Sequence, residues 1–137
     1  MSPRRTLHEV RVGYVDTDQA GVVHHASYFR WLEHGRVEYL RHHGLDYRRF
    51  ELDEHLALPV IEVSLRYRAP ARFDELLVVE TWVPEVTRAK VRFDSVIRRG
   101  VDTLLTGSVW LACVAMPEGR LVSMPESVRR ACGHEEA

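Results

Sequence analysis

A single long helical segment, followed by a run of strand-like segments, limits what this chain can fold into. In residues 27–43 the apolar side chains fall within one broad arc at 100° per residue, and Gly44 provides a stop signal. The residues of that arc are Phe29, Leu32, Tyr39 and Leu40. A helix with one apolar arc needs another element to cover it. Gly35, in the middle of this helix, costs about 1 kcal/mol relative to alanine and is expected to let another backbone approach closely.

The other periodic segments are predicted to be strands. They alternate between apolar and polar residues, or form apolar runs bounded by turn residues. These segments are residues 7–15, 61–67, 76–83, 91–98 and 104–116. A helical or irregular connection, a short strand and a final helical turn or two are expected at residues 45–55, 121–123 and 125–132. This order predicts an α+β fold in which an antiparallel sheet covers one long α-helix.

Length and charge exclude several classes of protein. The chain has 137 residues, of which 45% are hydrophobic, so we expect a single domain spanning residues 1–137 with its own core. Its formal net charge is −1, from 19 basic and 20 acidic residues, so the overall positive charge of a nucleic-acid-binding or membrane-surface protein is missing. No segment approaches the ~20 apolar residues of a membrane span.

The cysteines and the N-terminal residues indicate a compartment. Cys113 and Cys132 fit no metal-ligand or redox spacing and are too few for a disulfide framework. We expect them to be structural residues of a protein in a reducing compartment. Arg4 and Arg5 are not followed by the apolar stretch of a signal peptide. A soluble cytoplasmic protein is therefore expected.

The segment most informative about function is YVDTDQAGVVHHASY, residues 14–28, which leads into the predicted helix. A helix N-terminus presents unpaired N–H groups and partial positive charge, which stabilise an oxyanion when a carbonyl is attacked. Asp16 or Asp18 can supply the attack, and Gly21 lets a substrate approach the backbone. The same aspartates are also typical turn or cap residues, so the residues alone leave both interpretations open.

The other polar residues of this segment indicate neither a metal site nor a serine nucleophile. His24 and His25 have no third ligand at a recognisable spacing, and no His-x-x-x-His pair occurs nearby. Ser27 lacks the Gly-x-Ser-x-Gly setting of a nucleophile elbow and is expected to start the helix. We therefore predict no metal and no cofactor.

The same segment resembles the signature of the hot-dog fold acyl-CoA thioesterases. The resemblance lies in DTDQAGVVHHASY, residues 16–28, followed by Trp31, Glu33, Arg36 and Glu38. More narrowly, the segment is similar to the 4-hydroxybenzoyl-CoA thioesterase-like family, which includes the short bacterial acyl-CoA thioesterases associated with the Tol-Pal system. The resemblance implies a hot-dog fold, in which an antiparallel sheet wraps around one long helix.

The resemblance also implies an activity and a set of catalytic residues. The activity is hydrolysis of an acyl-CoA thioester to a free acid and coenzyme A. By position, Asp18 is the catalytic carboxylate, acting as nucleophile or general base, and Asp16 is its supporting residue. The backbone N–H that polarises the carbonyl falls at His25, a position whose side chain varies within the family. The family further implies a homodimer with active sites at the interface, and often a homotetramer.

Candidate substrate-binding residues lie outside the motif. Coenzyme A carries several phosphate charges, and Arg88, Lys90 and Arg92 share one face of a predicted strand that can bind them. A solvated outer sheet face is the alternative explanation for these three residues. Four aromatic residues are candidates for lining the acyl pocket, although each also suits the core: Tyr28, Trp31, Tyr67 and Phe93. Short aliphatic, long and aromatic acyl groups all stay open.

Two other functions are compatible with the same fold. A hot-dog dehydratase of the acyl-carrier type would need a His-Phe-Pro segment, which this sequence lacks. A non-catalytic acyl-CoA binding or sensor module is the second alternative, because a fold alone does not determine function. The retained Asp18 favours catalysis. A binding module would hold acyl-CoA without releasing free thiol.

Overall fold

The computed structural model describes residues 4–133, in which an antiparallel sheet wraps around one long helix. The strands are β1 (Arg5–Arg11), β2 (Leu56–Ala57), β3 (Val60–Tyr67), β4 (Leu76–Val86), β5 (Lys90–Arg99), β6 (Asp102–Ala115) and β7 (Arg120–Val122). The helices are α1 (His25–His42), α2 (Tyr47–Glu54) and α3 (Glu126–Ala131), and a 3₁₀ turn spans Tyr14–Asp16. The predicted α+β hot-dog fold is confirmed.

The sheet is built around β6. Its strands run antiparallel in the order β1-β4-β5-β6, with β3 on the far side of β6. The last residues of β6 pair with the short strands β2 and β7. β1 and β3 are therefore the outer strands of the sheet.

The buried side of α1 joins two hydrophobic clusters. Its first half packs on the sheet through Tyr28, Trp31 and Leu32, and its second half through Tyr39 and Leu40. The sheet residues of the two clusters include Leu77, Val79, Ile97, Leu104 and Leu105 in the first and Val83, Val91, Phe93, Val109 and Leu111 in the second. Phe29, predicted on the buried arc, is instead exposed, because the sheet does not cover that side of α1.

Two predicted strand boundaries are wrong, and strand pairing explains both. β1 ends at Arg11 because Arg11 pairs with Leu76, where β4 begins, and Val12 bonds instead to the turn before β4, at Asp74 and Glu75. The residues that follow form the 3₁₀ turn. β4 continues through Pro84 because its register against β5 shifts between Trp82 and Glu85, and such an irregularity tolerates proline.

β3 is exposed on both faces, whereas its alternating sequence predicts one buried face. Its most exposed apolar side chains are Val60 (45%), Ile61 (53%), Val63 (39%) and Tyr67 (43%). The reason is that α1 packs against β1, β4 and β5 and reaches β3 only at its end, where His25 and Tyr28 contact Tyr67. One long side of the molecule is therefore open, with an apolar strand at its edge.

The two cysteines have the buried positions expected of structural residues. Both cysteines are free and buried, and burial raises the pKa of each thiol, that of Cys132 to about 12. Neither thiol is therefore reactive at neutral pH. In the part of the chain that the structure describes, no helix has the length and apolar character needed to cross a bilayer.

Gly35 permits a close approach, but to side chains rather than to a backbone. A Cβ at this position would lie 2.6 Å from Thr81 Oγ1 and 3.2 Å from Val79 Cγ1. Thr81 is fully buried and its hydroxyl lies 3.3 Å from Ser95 Oγ, so it has little room to turn away. The missing side chain lets α1 lie directly on β4.

We expect Gly35→Ala to lower the free energy of unfolding by about 1 kcal/mol, because overpacking costs about 1–3 kcal/mol and exceeds the gain in helix propensity of about 1 kcal/mol. Urea denaturation followed by circular dichroism measures this change. In a Thr81→Ala background, which lacks the opposing hydroxyl, the loss should be smaller. Equal losses in the two backgrounds would contradict the contact.

Candidate active site

A pocket of about 460 Å³ lies between the loop before α1, the first turn of α1 and the end of β3. The loop contributes Asp18, α1 contributes His25 and Tyr28, and β3 contributes Tyr67. Two predicted catalytic residues, Asp18 and His25, therefore line the same pocket.

The carboxylate of Asp18 is oriented by the backbone of its own loop. Its Oδ1 accepts hydrogen bonds from the N–H groups of Ala20 (2.8 Å) and Val22 (3.3 Å). Its carbonyl accepts from the N–H of Gly21 (3.0 Å), whose φ of +82° explains the glycine. Among residues 4–133, Oδ2 has no hydrogen-bond partner, and the side chain is exposed. One carboxylate oxygen is thus held and the other is available to a ligand.

Among the residues that the structure describes, no side chain caps the N-terminus of α1. α1 begins at His25 with His24 at the N-cap, two residues before the predicted start. The first N–H groups of a helix have no partner within the helix, so those of His25 and Ala26 can bind a ligand at the positive end of the helix dipole. His24 Nε2 donates instead to the carbonyl of Val15 (3.0 Å), which fastens the loop to the helix start.

Asp16 is buried, with 3% of its surface exposed, and its carboxylate is fully hydrogen-bonded. Oδ1 accepts from Ser27 Oγ (2.7 Å) and from the Arg30 guanidinium, and Oδ2 accepts from the Gly13 N–H (2.8 Å). Its backbone carbonyl accepts from the His24 N–H (2.9 Å). Asp16 therefore ties the 3₁₀ turn to the first two turns of α1.

The surroundings of Asp16 favour its ionised form. Burial by itself raises the pKa of Asp16, but the hydrogen bonds from Ser27, Gly13 and Arg30, with the positive charge of Arg30, outweigh it and hold the pKa below its usual value. Neither Ser27 nor Arg30 was predicted as a partner. Their spacing of three residues, which places both on one helix face, is the only sequence signal for this contact.

The side chain of His25 bonds to a residue of β3. Its Nδ1 shares a hydrogen bond of 2.9 Å with Tyr67 Oη, and the two rings meet edge to face with centroids 5.0 Å apart. Tyr28 packs beside Tyr67 with centroids 5.4 Å apart, and its hydroxyl accepts from the N–H of Ala71 (3.2 Å). Burial, and to a lesser extent Tyr28, raises the pKa of Tyr67, so its hydroxyl stays protonated at neutral pH.

The aromatic candidates divide between the pocket and the core. Tyr28 and Tyr67 line the pocket, whereas Trp31 and Phe93 are core residues with 2% and 1% of their surfaces exposed. Arg68 also lines the pocket. The sequence did not single out Arg68, because an arginine after an alternating strand is typical of a solvated surface.

Arg88, Lys90 and Arg92 lie away from this pocket in the same chain. Tyr67 is aligned through β6 with Ile97 of β5. Arg92 lies five residues from Ile97 along β5, or about 17 Å at the usual rise of a strand. The structure therefore does not bring these three residues to Asp18 within one subunit.

Arg88 lies in the turn before β5, so only Lys90 and Arg92 share the strand face that was predicted for all three. These two residues have contacts of their own. Arg92 pairs with Asp94 (3.1 Å) and Glu85 (3.7 Å). Lys90 Nζ lies 4.2 Å from the centre of the Trp110 ring. These contacts place both side chains on the outer face of the sheet, opposite α1.

His24 and His25 each form a hydrogen bond within the protein, and neither of these bonds joins them to another residue that commonly binds metals. His24 bonds to the carbonyl of Val15, and His25 bonds to Tyr67. Within residues 4–133, no group of three or more histidine, cysteine or acidic side chains is arranged to hold a metal ion. The chemistry available in the pocket comes from a carboxylate, an imidazole, a phenol and backbone N–H groups.

Comparison of the sequence with known families and proteins gives consistent matches. The sequence model of the thioesterase superfamily matches residues 20–106. The acyl-CoA thioesterase YbgC of Haemophilus influenzae is 37% identical over 125 residues, which cover 91% of this chain and 92% of that protein. The acyl-CoA thioester hydrolase YbgC of Escherichia coli O157:H7 is 35% identical over 120 residues, covering 87% and 89%.

Solved structures match over nearly the whole chain. A hypothetical protein from Thermus thermophilus has a TM-score of 0.86 at 34% identity and covers 95% of this chain and 96% of that one. A mutant 4-hydroxybenzoyl-CoA thioesterase, in complex with 4-hydroxybenzoyl-CoA, has a TM-score of 0.85 and covers 94% and 99%. At 20% identity, this second likeness is evidence of a shared fold alone.

We expect Asp16→Asn to lower the free energy of unfolding at pH 7 by about 2–3 kcal/mol, because hydrogen bonds to a charged group are lost and Arg30 loses its partner. The pKa of Asp16 is lowered by folding. Its contribution is therefore complete above the usual aspartate pKa of about 4 and disappears as the pH falls through the lower folded value. Urea denaturation at pH 7 and pH 3 measures both effects.

The matched control for this variant is Asp18→Asn, which changes the exposed aspartate two positions later. We expect it to change the free energy of unfolding by no more than about 0.5 kcal/mol at either pH. A loss from Asp16→Asn that is equally large at pH 7 and pH 3 would contradict the electrostatic explanation.

Proposed function

Because this chain belongs to the thioesterase superfamily, we propose that it hydrolyses an acyl-CoA thioester to a free acid and coenzyme A. The observation that carries the proposal is one pocket that contains both the available carboxylate oxygen of Asp18 and the uncapped N-terminus of α1. The relatives named as acyl-CoA thioesterases support coenzyme A as the thiol portion of the substrate.

In this mechanism the N-terminus of α1 polarises the thioester. The carbonyl oxygen accepts a hydrogen bond from the His25 N–H, and the negative charge that develops on it faces the positive end of the helix dipole. Because the donor belongs to the backbone of an 18-residue helix, it is in position before the substrate arrives. A single donor of this kind contributes roughly 10²–10³ in rate.

Asp18 supplies the attack on the polarised carbonyl. Its Oδ2 either adds to the carbonyl carbon, giving a mixed anhydride that water then hydrolyses, or takes a proton from a water that adds instead. In both routes the carbon–sulfur bond breaks and coenzyme A leaves. The hydrogen bonds from Ala20 and Val22 to Oδ1 keep the carboxylate in one orientation. Asp16 holds the loop against α1 through its hydrogen bond from Ser27.

We propose that the working form is at least a homodimer in which the β3 strands of two copies pair antiparallel. β3 is eight residues long, bonds to the sheet on one side through β6, and exposes apolar side chains. A long apolar edge of this kind is a template for pairing with another chain. A second copy of the same strand satisfies its backbone groups and closes the open side of the molecule.

The same pairing supports a role for the distant basic residues. Antiparallel pairing sets the Tyr67 end of one β3 beside the Val60 end of the other. At that end, Arg88, Lys90 and Arg92 of the partner subunit lie three strands away, on the order of 14 Å across the sheet, and the side chains of the partner's Lys90 and the partner's Arg92 are on its outer face. Coenzyme A is long enough to span this distance, so we propose that its phosphate groups bind the partner's basic cluster.

We also propose that Gly21, which has no side chain, lets the substrate approach the backbone of the loop closely.

We also propose that the enzyme works in the cytoplasm. Both cysteines are free thiols. Free, unpaired cysteines are typical of proteins from a reducing compartment.

We expect Asp18→Asn to lower kcat by more than ~100-fold, the scale of acid–base and nucleophilic contributions, with little change in stability. The measurement is release of free thiol from a panel of short, long and aromatic acyl-CoAs. Asp53→Asn, which neutralises an exposed aspartate on α2, is the control and should retain wild-type rates. If the wild type binds acyl-CoA but releases no thiol, the protein is a binding module instead.

We expect the double variant Ile61→Lys/Val63→Lys to shift the protein to monomers and to lower activity, because like charges on the two β3 strands repel each other. Sedimentation velocity at several concentrations gives the mass, and thiol release gives the activity. The control is Leu7→Lys on the other outer strand, which carries a similarly exposed side chain. A double variant with the mass and activity of the wild type would exclude assembly through β3.

A further inference from the structure

We infer that Tyr67 positions the imidazole of His25 so that Nε2 gives a proton to the sulfur of coenzyme A as it leaves. This inference rests on the proposed function and adds to it the step that neither Asp18 nor the helix N-terminus performs. In it, His25 is a catalytic residue through its side chain as well as its backbone, and Tyr67 is a positioning residue.

A proton donor near the sulfur assists the reaction. The thiol of coenzyme A is an alkyl thiol like that of cysteine, whose usual pKa is about 8.5, so the leaving sulfur takes up a proton at neutral pH, and a general acid supplies it as the bond breaks. The helix N-terminus stabilises the carbonyl oxygen, and Asp18 acts on the attacking side. The leaving side of the carbonyl is still without a donor.

His25 is suitably placed to supply that proton. Its backbone N–H is the proposed partner of the carbonyl oxygen, so the side chain of the same residue lies close to the reacting carbon. The imidazole lines the pocket and is exposed to it. Among the described residues, Nε2 has no hydrogen-bond partner, whereas Nδ1 is bonded to Tyr67 Oη at 2.9 Å.

Tyr67 determines the direction of the imidazole. The hydrogen bond to Nδ1 and the edge-to-face ring contact, with centroids 5.0 Å apart, together hold the ring from one side. Rotation of the ring would break both contacts. Tyr67 is in turn supported by Tyr28, whose hydroxyl is bonded to the N–H of Ala71. The chain of contacts therefore runs from a buried helix residue through β3 to His25.

The proton balance of the step is complete. In the imidazolium, Nδ1–H donates to the oxygen of Tyr67 and Nε2–H faces the sulfur. When the carbon–sulfur bond breaks, its electron pair stays on sulfur and the proton moves from Nε2 to sulfur, which leaves neutral imidazole and free thiol. The water that enters the reaction releases a proton, which returns the imidazole to its starting form. The net reaction consumes one thioester and one water and yields one acid and one thiol.

The test compares leaving groups that differ in their need for a proton. One acyl group is presented as its coenzyme A, N-acetylcysteamine and thiophenol thioesters. The first two leave as alkyl thiols, whereas thiophenol is much more acidic and leaves without protonation. On the alkyl thioesters, we expect His25→Gln to lower kcat about 100-fold or more and Tyr67→Phe about 10-fold. On the thiophenol ester, both losses should shrink to less than about 3-fold.

The matched control is Tyr14→Phe, which removes a hydroxyl from an exposed tyrosine that stacks on Phe73 and does not line the pocket. Any loss it causes should be equal for all three leaving groups, as should the loss from Asp18→Asn. Equal losses from Tyr67→Phe across the series, or unchanged activity of both variants on acyl-CoA, would overturn the inference while the thioesterase function stands. A wild type that releases no thiol from acyl-CoA would overturn both.

Discussion

The site depends on one buried carboxylate. Asp16 accepts hydrogen bonds from the 3₁₀ turn through Gly13 and from α1 through Ser27 and Arg30. A buried charge is tolerated only while its partners stay in place, since removing one leaves the charge uncompensated. The loop before α1 therefore cannot move away from the helix without a large cost. That constraint keeps Asp18, two residues later, beside the uncapped helix N-terminus. A loop can therefore hold the proposed catalytic carboxylate in a fixed position.

A second constraint comes from the way the sheet wraps around α1. The helix packs on β1, β4 and β5, so β3 extends beyond the core, is exposed on both faces and carries exposed apolar side chains. The pocket opens at the end of this same strand. Each subunit therefore has a packed core but an uncovered edge strand. The proposed second copy covers that edge, and the same contact brings the basic cluster of the partner subunit toward the pocket.

The chemistry divides between backbone and side chains. In the proposed mechanism, the group that polarises the carbonyl is an amide of α1, which any residue at position 25 supplies. The imidazole at that position is therefore available for a separate role, and its bond to Tyr67 indicates the leaving-group side of the reaction. In the mechanism that we propose, a helix N-terminus, a loop carboxylate and an oriented imidazole act on three different atoms of the same thioester.

The sequence alone determined the elements and the motif. The 3.6-residue period of the helix and the two-residue period of the strands are local properties, so the order of elements was predictable. The hot-dog fold and the choice of Asp18 and His25 followed from the resemblance of the motif to a known family. Only the tertiary structure decided which residues meet across long separations. Tyr67 reaches His25 from 42 residues away, Thr81 faces Gly35, and Arg88, Lys90 and Arg92 lie at the far end of the sheet. Such contacts depend on strand register and on which part of the sheet the helix covers, and a local sequence pattern determines neither.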